Sequence, residues 1–337
     1  MPTVHDVAKR AGVAPITVSR VINNSGYVSQ ATRERVEAAA KELGYVPNTL
    51  ARGLRSKITK TLALVVTDIT NPYFTLMARG VEDAAGVSDY SVVYCNTDES
   101  EEKEEKYVNI LAQRQVDGVL LVPACGKVNS IKFLLSNNIH VVGLDRVISG
   151  VKIDSVRSDS EGGAYQLIKL LIELGHKRIA IITGPKDVST SNDRVTGYQR
   201  ALTEAGLEDN ELVYYGMFTQ ESGFELTKQA MMNSPKPTAI FGANNFIAIG
   251  IMKALRWFKV DVPGEISVVA FDDFPESMLV APFLTFAEQP AYEMGQMATE
   301  LLLKRISGDL SGGYQKLVLP TNVVERGSTG PNRNNGD

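Results

Sequence analysis

Apolar residues recur every three to four positions over the first 43 residues, a spacing typical of short amphipathic helices. Thr3 followed by Asp6 has the spacing of a capping box, so a helix should begin there and run to Ala11. Gly12 should end it, because the following turn needs a residue that tolerates positive φ. A third helix should start near Ser29 or Thr32 and stop at Gly44.

Between them, Pro15 suits the first position of a second helix, where its missing N–H is not needed. That helix turns apolar side chains inward at Val18, Val21 and Ile22. It leaves a polar face outward, formed by Thr17, Ser19, Arg20 and Asn23. Two helices joined by a tight glycine turn, the second one polar outside, form a helix-turn-helix.

From about residue 61 the pattern changes to apolar strands that alternate with longer amphipathic segments, for example 62–66, 91–95, 118–122, 179–183, 239–242 and 266–271 as strands. This alternation predicts α/β structure with parallel sheets that are covered by helices on both faces. About 270 residues is long for one such sheet, so the pattern favours two α/β lobes.

Charge separates the same two regions. Residues 1–60 carry a net charge of +6 and residues 61–337 a net charge of −10, within a total of −4. A basic head on an acidic body is typical of a module that neutralises phosphates. A soluble helical cap with no nucleic-acid partner is the alternative interpretation.

In a helix-turn-helix the second helix enters the major groove of DNA. Arg20 could donate two hydrogen bonds to guanine or contact a phosphate. Ser19, Asn23 and Ser29 fit phosphate contacts, and Pro15 and Ile16 can offer apolar contact only, for instance to a thymine methyl. For each of these side chains, simple solvation is the alternative.

The head also resembles a known family. The runs 4–8, 17–23, 32–36 and 43–48 are similar to those of the lactose/galactose repressor family, and the match extends from residue 2 to about residue 329. The resemblance implies that Pro15 and Ile16 select the operator. It implies DNA contacts for the whole set Thr3, Pro15, Ile16, Thr17, Ser19, Arg20, Asn23, Tyr27, Ser29, Asn48, Ala51 and Leu54.

Residues 47–58 are predicted to be a hinge helix. Pro47 can start a helix, but the segment is too short to be stable alone and Gly53 weakens it further. The family resemblance implies that this helix forms on DNA, where Leu54 wedges between base steps in the minor groove. Packing of Leu54 on its own subunit is the alternative.

The expected domains are therefore a DNA-binding domain at 1–46, the hinge at 47–58, an effector-binding domain at 59–327 and a disordered tail at 328–337. By resemblance, the body has the two-lobed architecture of periplasmic sugar-binding proteins. Its N-lobe would comprise 59–158 plus 290–319, and its C-lobe 159–289 plus 320–327.

Ligands of open α/β sheets bind beyond the carboxyl ends of the strands, and the loops there are rich in carboxylates, amides, arginine and aromatic residues. Such groups suit a sugar. The resemblance implies effector contact for Asn71, Tyr73, Phe74, Asp145, Arg194, Phe218, Asn244, Asp272 and Gln289. The alternative for each is a cap or turn residue. The sequence departs from the family pattern at two places. It has Asn244-Asn245 where the family usually has Asn-Asp, and Phe286 begins the run 286–288, where the family commonly has a smaller residue.

Other classes of protein fit less well. Residues 1–3 open a polar, basic helix with no secretory apolar core, and the chain has no long apolar run, so we expect a cytoplasmic protein without membrane contact. The three histidines are scattered and no catalytic motif is visible, so we expect no metal, no cofactor and no enzymatic activity. A secreted solute-binding protein would lack the head, and an enzyme with a DNA-targeting head would need a nucleophile or metal cluster.

The resemblance therefore implies a transcriptional regulator, with repression the favoured outcome. It would bind a pseudo-palindromic operator in double-stranded DNA as a homodimer, under the control of a small sugar or sugar derivative. Both an inducer and a corepressor fit this mechanism.

Overall fold

The fold was analysed in a computed structural model that describes residues 2–46, 58–273 and 283–333. The chain divides into two compact units, Met1–Thr59 and Lys60–Asp337. We call them the head and the body and describe each by itself. The predicted hinge helix falls almost wholly on residues 47–57, outside the described residues, and so do the predicted DNA contacts Asn48, Ala51 and Leu54.

The described part of the head, residues 2–46, forms three helices, α1 (Val4–Ala11), α2 (Pro15–Ile22) and α3 (Gln30–Glu42). The predicted capping box is confirmed: the Thr3 side chain accepts from the Asp6 N–H, and the Asp6 carboxylate accepts from the Thr3 N–H. Gly12 ends α1 with a φ of 64°. The helices enclose a small apolar core that includes Val7, Val18 and Val36, each fully buried. The three-helix arrangement of the head was therefore predicted correctly.

The body contains two six-stranded sheets, and the first defines the N-lobe. Its strand order is β11-β5-β4-β3-β1-β2, and every neighbouring pair is parallel. The strands are β1 (Thr61–Val66), β2 (Ser91–Asn96), β3 (Gly118–Leu121), β4 (His140–Leu144), β5 (Asp154–Ser158) and β11 (Lys316–Leu319). The helices around this sheet are α4 (Pro72–Val87), α5 (Glu101–Gln113), α6 (Asn129–Ser136) and α11 (Ala291–Ser307).

The second sheet defines the C-lobe. Its order is β12-β10-β9-β8-β6-β7, parallel except for the antiparallel edge pair β10 and β12. The strands are β6 (Ile179–Thr183), β7 (Leu212–Tyr215), β8 (Ala239–Gly242), β9 (Ser267–Phe271), β10 (Thr285–Glu288) and β12 (Asn322–Val324). The helices are α7 (Ser160–Glu173), α8 (Ser189–Glu204), α9 (Gln220–Met231) and α10 (Asn245–Trp257), with a short 3₁₀ helix at Glu208–Asn210.

The chain passes between the lobes three times: after β5, between β10 and α11, and between β11 and β12. Helix α11 returns to the N-lobe by packing against α4. The two backbones approach so closely that a Cβ on Gly80 would overlap the carbonyl oxygen of Tyr292, and a Cβ on Gly295 would overlap that of Met77. Glycine is needed at both positions for this approach.

Three strands were not predicted from the pattern: β5, β10 and β12. Strand β5 carries the sequence Asp-Ser-Val-Arg-Ser, too polar to stand out as a strand. It is nevertheless held between β4 and β11, and its buried Asp154 accepts hydrogen bonds from Arg305 at 2.7 and 3.0 Å. Partners distant in the sequence therefore satisfy the polar groups of this strand.

The expected disorder of the tail is wrong for residues 328–333; residues 334–337 lie outside the described part. Ser328 is fully buried, and its hydroxyl donates to the Val268 carbonyl and accepts from the Thr285 N–H. The Asn332 N–H donates to the Leu174 carbonyl at 2.8 Å. The tail is ordered because it supplies hydrogen-bond partners to the C-lobe, which requires no apolar periodicity.

Candidate functional site

A cavity of about 390 Å³ opens between the carboxyl ends of the strands of the two lobes. The N-lobe contributes the loops after β1, β2 and β4, and the C-lobe those after β7, β8 and β9. All nine residues expected at the effector site line this cavity: Asn71, Tyr73, Phe74, Asp145, Arg194, Phe218, Asn244, Asp272 and Gln289. Its volume is at the lower end of the range of roughly 300–1,000 Å³ that small-molecule sites occupy.

Two carboxylates occupy equivalent places in the two lobes. Asp145 follows β4 with a φ of 64°, and Asp272 follows β9 with a φ of 59°. This left-handed backbone costs a non-glycine residue about 1–2 kcal/mol. Strain of this kind is commonly retained where it aims a side chain into a site.

Asp145 is held by a tyrosine of its own lobe. The buried Tyr73 hydroxyl donates to Asp145 Oδ1 at 2.7 Å and lies 3.7 Å from the sulfur of Met294. Burial, together with the charge of Asp145, raises the pKa of Tyr73 well above 10, so the phenol stays a donor. One oxygen of Asp145 is therefore bound by Tyr73, and the other lies 3.9 Å from Arg146 Nε.

Asp272 is held by Gln289. Both the backbone and the side-chain N–H groups of Gln289 donate to its carboxylate, and the Gln289 side-chain oxygen accepts from the Ser158 hydroxyl. Burial raises the pKa of Asp272 to about 7, although Arg194 and Gln289 act in the opposite direction. Ser158 and Gln289 both lie where the chain crosses between lobes, so this network ties the C-lobe carboxylate to the hinge.

Arg194 lies within α8, which begins four residues earlier than the predicted Asp193. Its guanidinium stacks on the Phe271 ring at 3.9 Å, and Nη1 donates to the Ala243 carbonyl. Burial lowers its pKa, while Asp272 and Asp145 act to raise it. Its Nε is buried and has no hydrogen-bond partner among the described residues. Arg194 is therefore a cation held in place at the cavity by Phe271 and Ala243.

Arg146 and Glu99 were not among the predicted site residues, although both line the cavity. They form a bidentate ion pair with two N–O distances of 2.6 Å, and Arg146 is only 5% exposed. Arg146 also donates to the Pro123 carbonyl at 2.8 Å and faces the Phe218 ring at 5.8 Å. One indication of Arg146 was present in the sequence, which is its position directly after Asp145. Nothing in the sequence indicated that Arg146 pairs with Glu99, 47 positions away.

Two asparagines at the cavity also cap helices. Asn71 accepts from the Tyr73 N–H at the start of α4, and Asn244 accepts from the Ile247 N–H at the start of α10. Phe74 is buried and packs edge to face against Tyr73. The cavity thus combines five carboxylates, two guanidinium groups, amides and aromatic faces. Such a set suits a small ligand with several hydroxyl groups on an apolar ring.

The head presents its expected contact residues to solvent. Along α2, the i, i+4 spacing places Pro15, Ser19 and Asn23 on one face, with Ile16 and Arg20 beside them. Ile16 is 57% exposed and Tyr27 is 90% exposed. Thr17 and Ser19 are half-buried, and Ser29 stands exposed at the N-cap of α3. The Thr3 hydroxyl is hydrogen-bonded to Asp6 in the capping box.

Within the described ranges, no group of histidine, cysteine or acidic residues is arranged to hold a metal ion. Over the same ranges, no helix has the length and hydropathy needed to span a membrane.

Two family models match the chain. Residues 3–48 match the bacterial regulatory proteins of the lacI family, and residues 59–322 match the periplasmic binding proteins and sugar binding domain of the LacI family. A ribose operon repressor from Halalkalibacterium halodurans is 38% identical over 329 residues, covering 98% of this chain and 97% of the relative.

Solved structures agree with these matches. The lac repressor dimer bound to operator and the anti-inducer ONPF superposes with a TM-score of 0.86 at 30% identity, covering 98% of this chain and 99% of that one. The complex of the transcriptional regulator CelR with cellobiose gives a TM-score of 0.74 at 36% identity, covering 97% and 100%. The helix-turn-helix head, the two-lobed body and these matches together show that the chain belongs to the lacI family of bacterial regulatory proteins.

Proposed function

We propose that this protein is a transcriptional repressor that binds a pseudo-palindromic operator as a homodimer and releases or tightens its hold when a small sugar binds the body. The observation that carries this proposal is the cavity, where Asp145, Asp272 and Arg194 from the two lobes converge in a chain that also has a helix-turn-helix head. Because its DNA partner is there, the protein acts in the cytoplasm.

The residues that line the cavity support the following sugar contacts. The carboxylates of Asp145 and Asp272 accept hydroxyl protons, and the Arg194 guanidinium donates to the sugar. The rings of Phe74 and Phe218 cover the C–H faces of the sugar. A ligand held by both lobes binds more tightly when the lobes are closed, and so it shifts the balance between their arrangements.

The DNA contacts are assigned to residues at the surface of the head. Arg20 reads a base or holds a phosphate, Ile16 offers an apolar contact, and Ser19, Asn23 and Ser29 hold phosphates. The hinge residues Asn48, Ala51 and Leu54 complete the interface in the minor groove.

The DNA half of the proposal is tested by operator selection from a random library. The selected sites should be palindromic, and affinity should fall roughly 10³-fold or more between about 50 and 200 mM salt, since phosphate contacts dominate it. A chain lacking residues 1–58 serves as the control and should not bind. Operator binding by that shortened chain would overturn the assignment of the head.

The effector half is tested by a thermal-shift screen of sugars and sugar phosphates. Ribose and cellobiose are the first probes, because one relative is a ribose operon repressor and one similar structure holds cellobiose. A compound that raises Tm and changes operator affinity is the effector. Lower operator affinity identifies an inducer, and higher affinity identifies a corepressor. Binding that persists unchanged in Arg194→Ala would show that the sugar site lies elsewhere.

A further inference from the structure

A pair of asparagines joins the two lobes across the cleft. Asn71 Nδ2 donates to Asn245 Oδ1 at 3.2 Å, and Asn245 Nδ2 donates back to Asn71 Oδ1 at 2.9 Å. The two residues are 174 positions apart, and they are 7% and 1% exposed. Each side-chain amide thus donates one hydrogen bond to the other and accepts one from it. Both hydrogen bonds lie inside the body, away from solvent.

Each asparagine stands at the first turn of a helix. Asn71 Oδ1 also accepts from the Tyr73 N–H at the start of α4, and Asn245 Oδ1 also accepts from the Phe246 N–H at the start of α10. The pair therefore connects the N-terminus of an N-lobe helix to the N-terminus of a C-lobe helix. Both helix N-termini carry partial positive charge, and the amide pair that joins them is neutral. The contact therefore places no cation and no buried ion between the two helix ends.

The reciprocal geometry needs an amide on both sides. A carboxylate at position 245 could accept from Asn71, but it could not donate back to Asn71 Oδ1. A pair of this kind also forms at one separation only, because both hydrogen bonds break together when the lobes move apart. The cleft therefore has two distinct states, one with the asparagine pair formed and one with it broken, and no continuous range between them.

Two other hydrogen bonds between the lobes are placed differently. Ser158 and Gln289 bond to each other at the points where the chain crosses between lobes, so rotation about those points leaves their contact intact. The hydrogen bond from the Val147 N–H to the Ser189 hydroxyl is 2.8 Å long but exposed, so water can replace it. The asparagine pair is buried and lies on loops remote in sequence from the crossovers.

We propose that the Asn71–Asn245 pair is a clasp that holds the lobes closed, and that its strength sets how much of the effector's binding free energy is used to close the cleft. Asn71 and Asn245 are then positioning residues, which act through the geometry of the lobes. The consequence for the effector rests on the proposed function; the clasp itself does not, because it is formed by protein groups alone.

The test uses the full-length, ligand-free protein and two variants that break the clasp but keep the helix caps. Asn71→Ser retains a good capping residue that is too short to reach Asn245. Asn245→Ala leaves the cap of α10 in place, because that cap is Asn244. The matched control is Ser100→Ala, which removes the cap of α5 in the N-lobe, next to the cavity residue Glu99 but outside the asparagine pair.

Two measurements are made on each variant: hydrogen exchange of the segments 68–74 and 243–247, and the radius of gyration from small-angle scattering. Each clasp variant should speed hydrogen exchange in both segments roughly two- to tenfold, because loss of a hydrogen bond changes the opening equilibrium by about that factor. It should also enlarge the radius of gyration. The double variant should show no further change, because either single substitution already breaks both hydrogen bonds. Ser100→Ala should lower Tm and leave both cleft segments at their wild-type rates.

Wild-type exchange and scattering in both clasp variants would overturn the proposal. So would faster exchange of the cleft segments in Ser100→Ala, which would indicate general destabilisation, or additive effects in the double variant, which would indicate two separate roles. Because no sugar or DNA is present, these results do not depend on whether the effector and operator are correctly assigned.

Discussion

Asp272 gives the body a stability that depends on pH in an unusual direction. Its pKa is raised to about 7 by burial, whereas an unfolded aspartic acid titrates near 3.9. Between these values the folded chain holds a proton that the unfolded chain has lost. Stability therefore falls as pH rises through this interval, and Asp272→Asn, which cannot ionise, should abolish that fall.

The magnitude follows from the two pKa values. Between pH 5 and pH 8, linkage gives the wild-type protein a loss of roughly 2 kcal/mol relative to Asp272→Asn, after allowance for the side chain's access to the cavity. For a body of this size that corresponds to a Tm difference of about 3–4 °C. The same burial that costs stability makes the carboxylate a strong acceptor inside the cleft.

Thermal unfolding of the wild-type protein and of Asp272→Asn at pH 5, 6, 7 and 8 measures this difference. Asp98→Asn is the control. Hydrogen bonds from Lys103 and Asn96 lower the pKa of Asp98. The stability that this lowered pKa contributes is therefore present from pH 5 to pH 8 and is lost only at lower pH. A constant Tm difference between wild type and Asp272→Asn from pH 5 to pH 8 would refute the elevated pKa and, with it, the burial of that charge.

Three further predictions follow from single contacts. Arg194→Ala should weaken effector binding about tenfold to a hundredfold by calorimetry, because a charge-assisted hydrogen bond contributes roughly 1.5–3 kcal/mol; unaltered affinity would make Arg194 structural. Tyr73→Phe should lower the free energy of unfolding by roughly 1–3 kcal/mol in urea titrations, since Asp145 Oδ1 loses its donor, and an unchanged midpoint would show that water replaces the hydroxyl. Ser328→Ala should cost about 2 kcal/mol in the same assay by leaving the buried Thr285 N–H without its partner, whereas wild-type stability would show that residues 328–333 are dispensable.

The local signals of the sequence determined most of the secondary structure. The capping box at Thr3 and the proline at the start of α2 act within four residues of themselves, so they are legible without any tertiary information. Strands such as Ile179–Thr183 and Ala239–Gly242 stand out because a strand covered on both faces must be mostly apolar along its length. The loops at their carboxyl ends could be recognised as the place for a ligand by the same rule.

Only the tertiary structure decided which polar groups meet. Strand β5 was missed because the partner of its Asp154 is Arg305, 151 residues away. The same holds for the clasp, where Asn71 and Asn245 are 174 positions apart, and for Tyr73, whose hydroxyl is bound by Asp145. The tail is ordered by hydrogen bonds that its composition does not reveal. Hydrophobic periodicity shows which side of a helix or strand is buried. The position of a buried polar group depends instead on its hydrogen-bond partner, which is known only once the chain has folded.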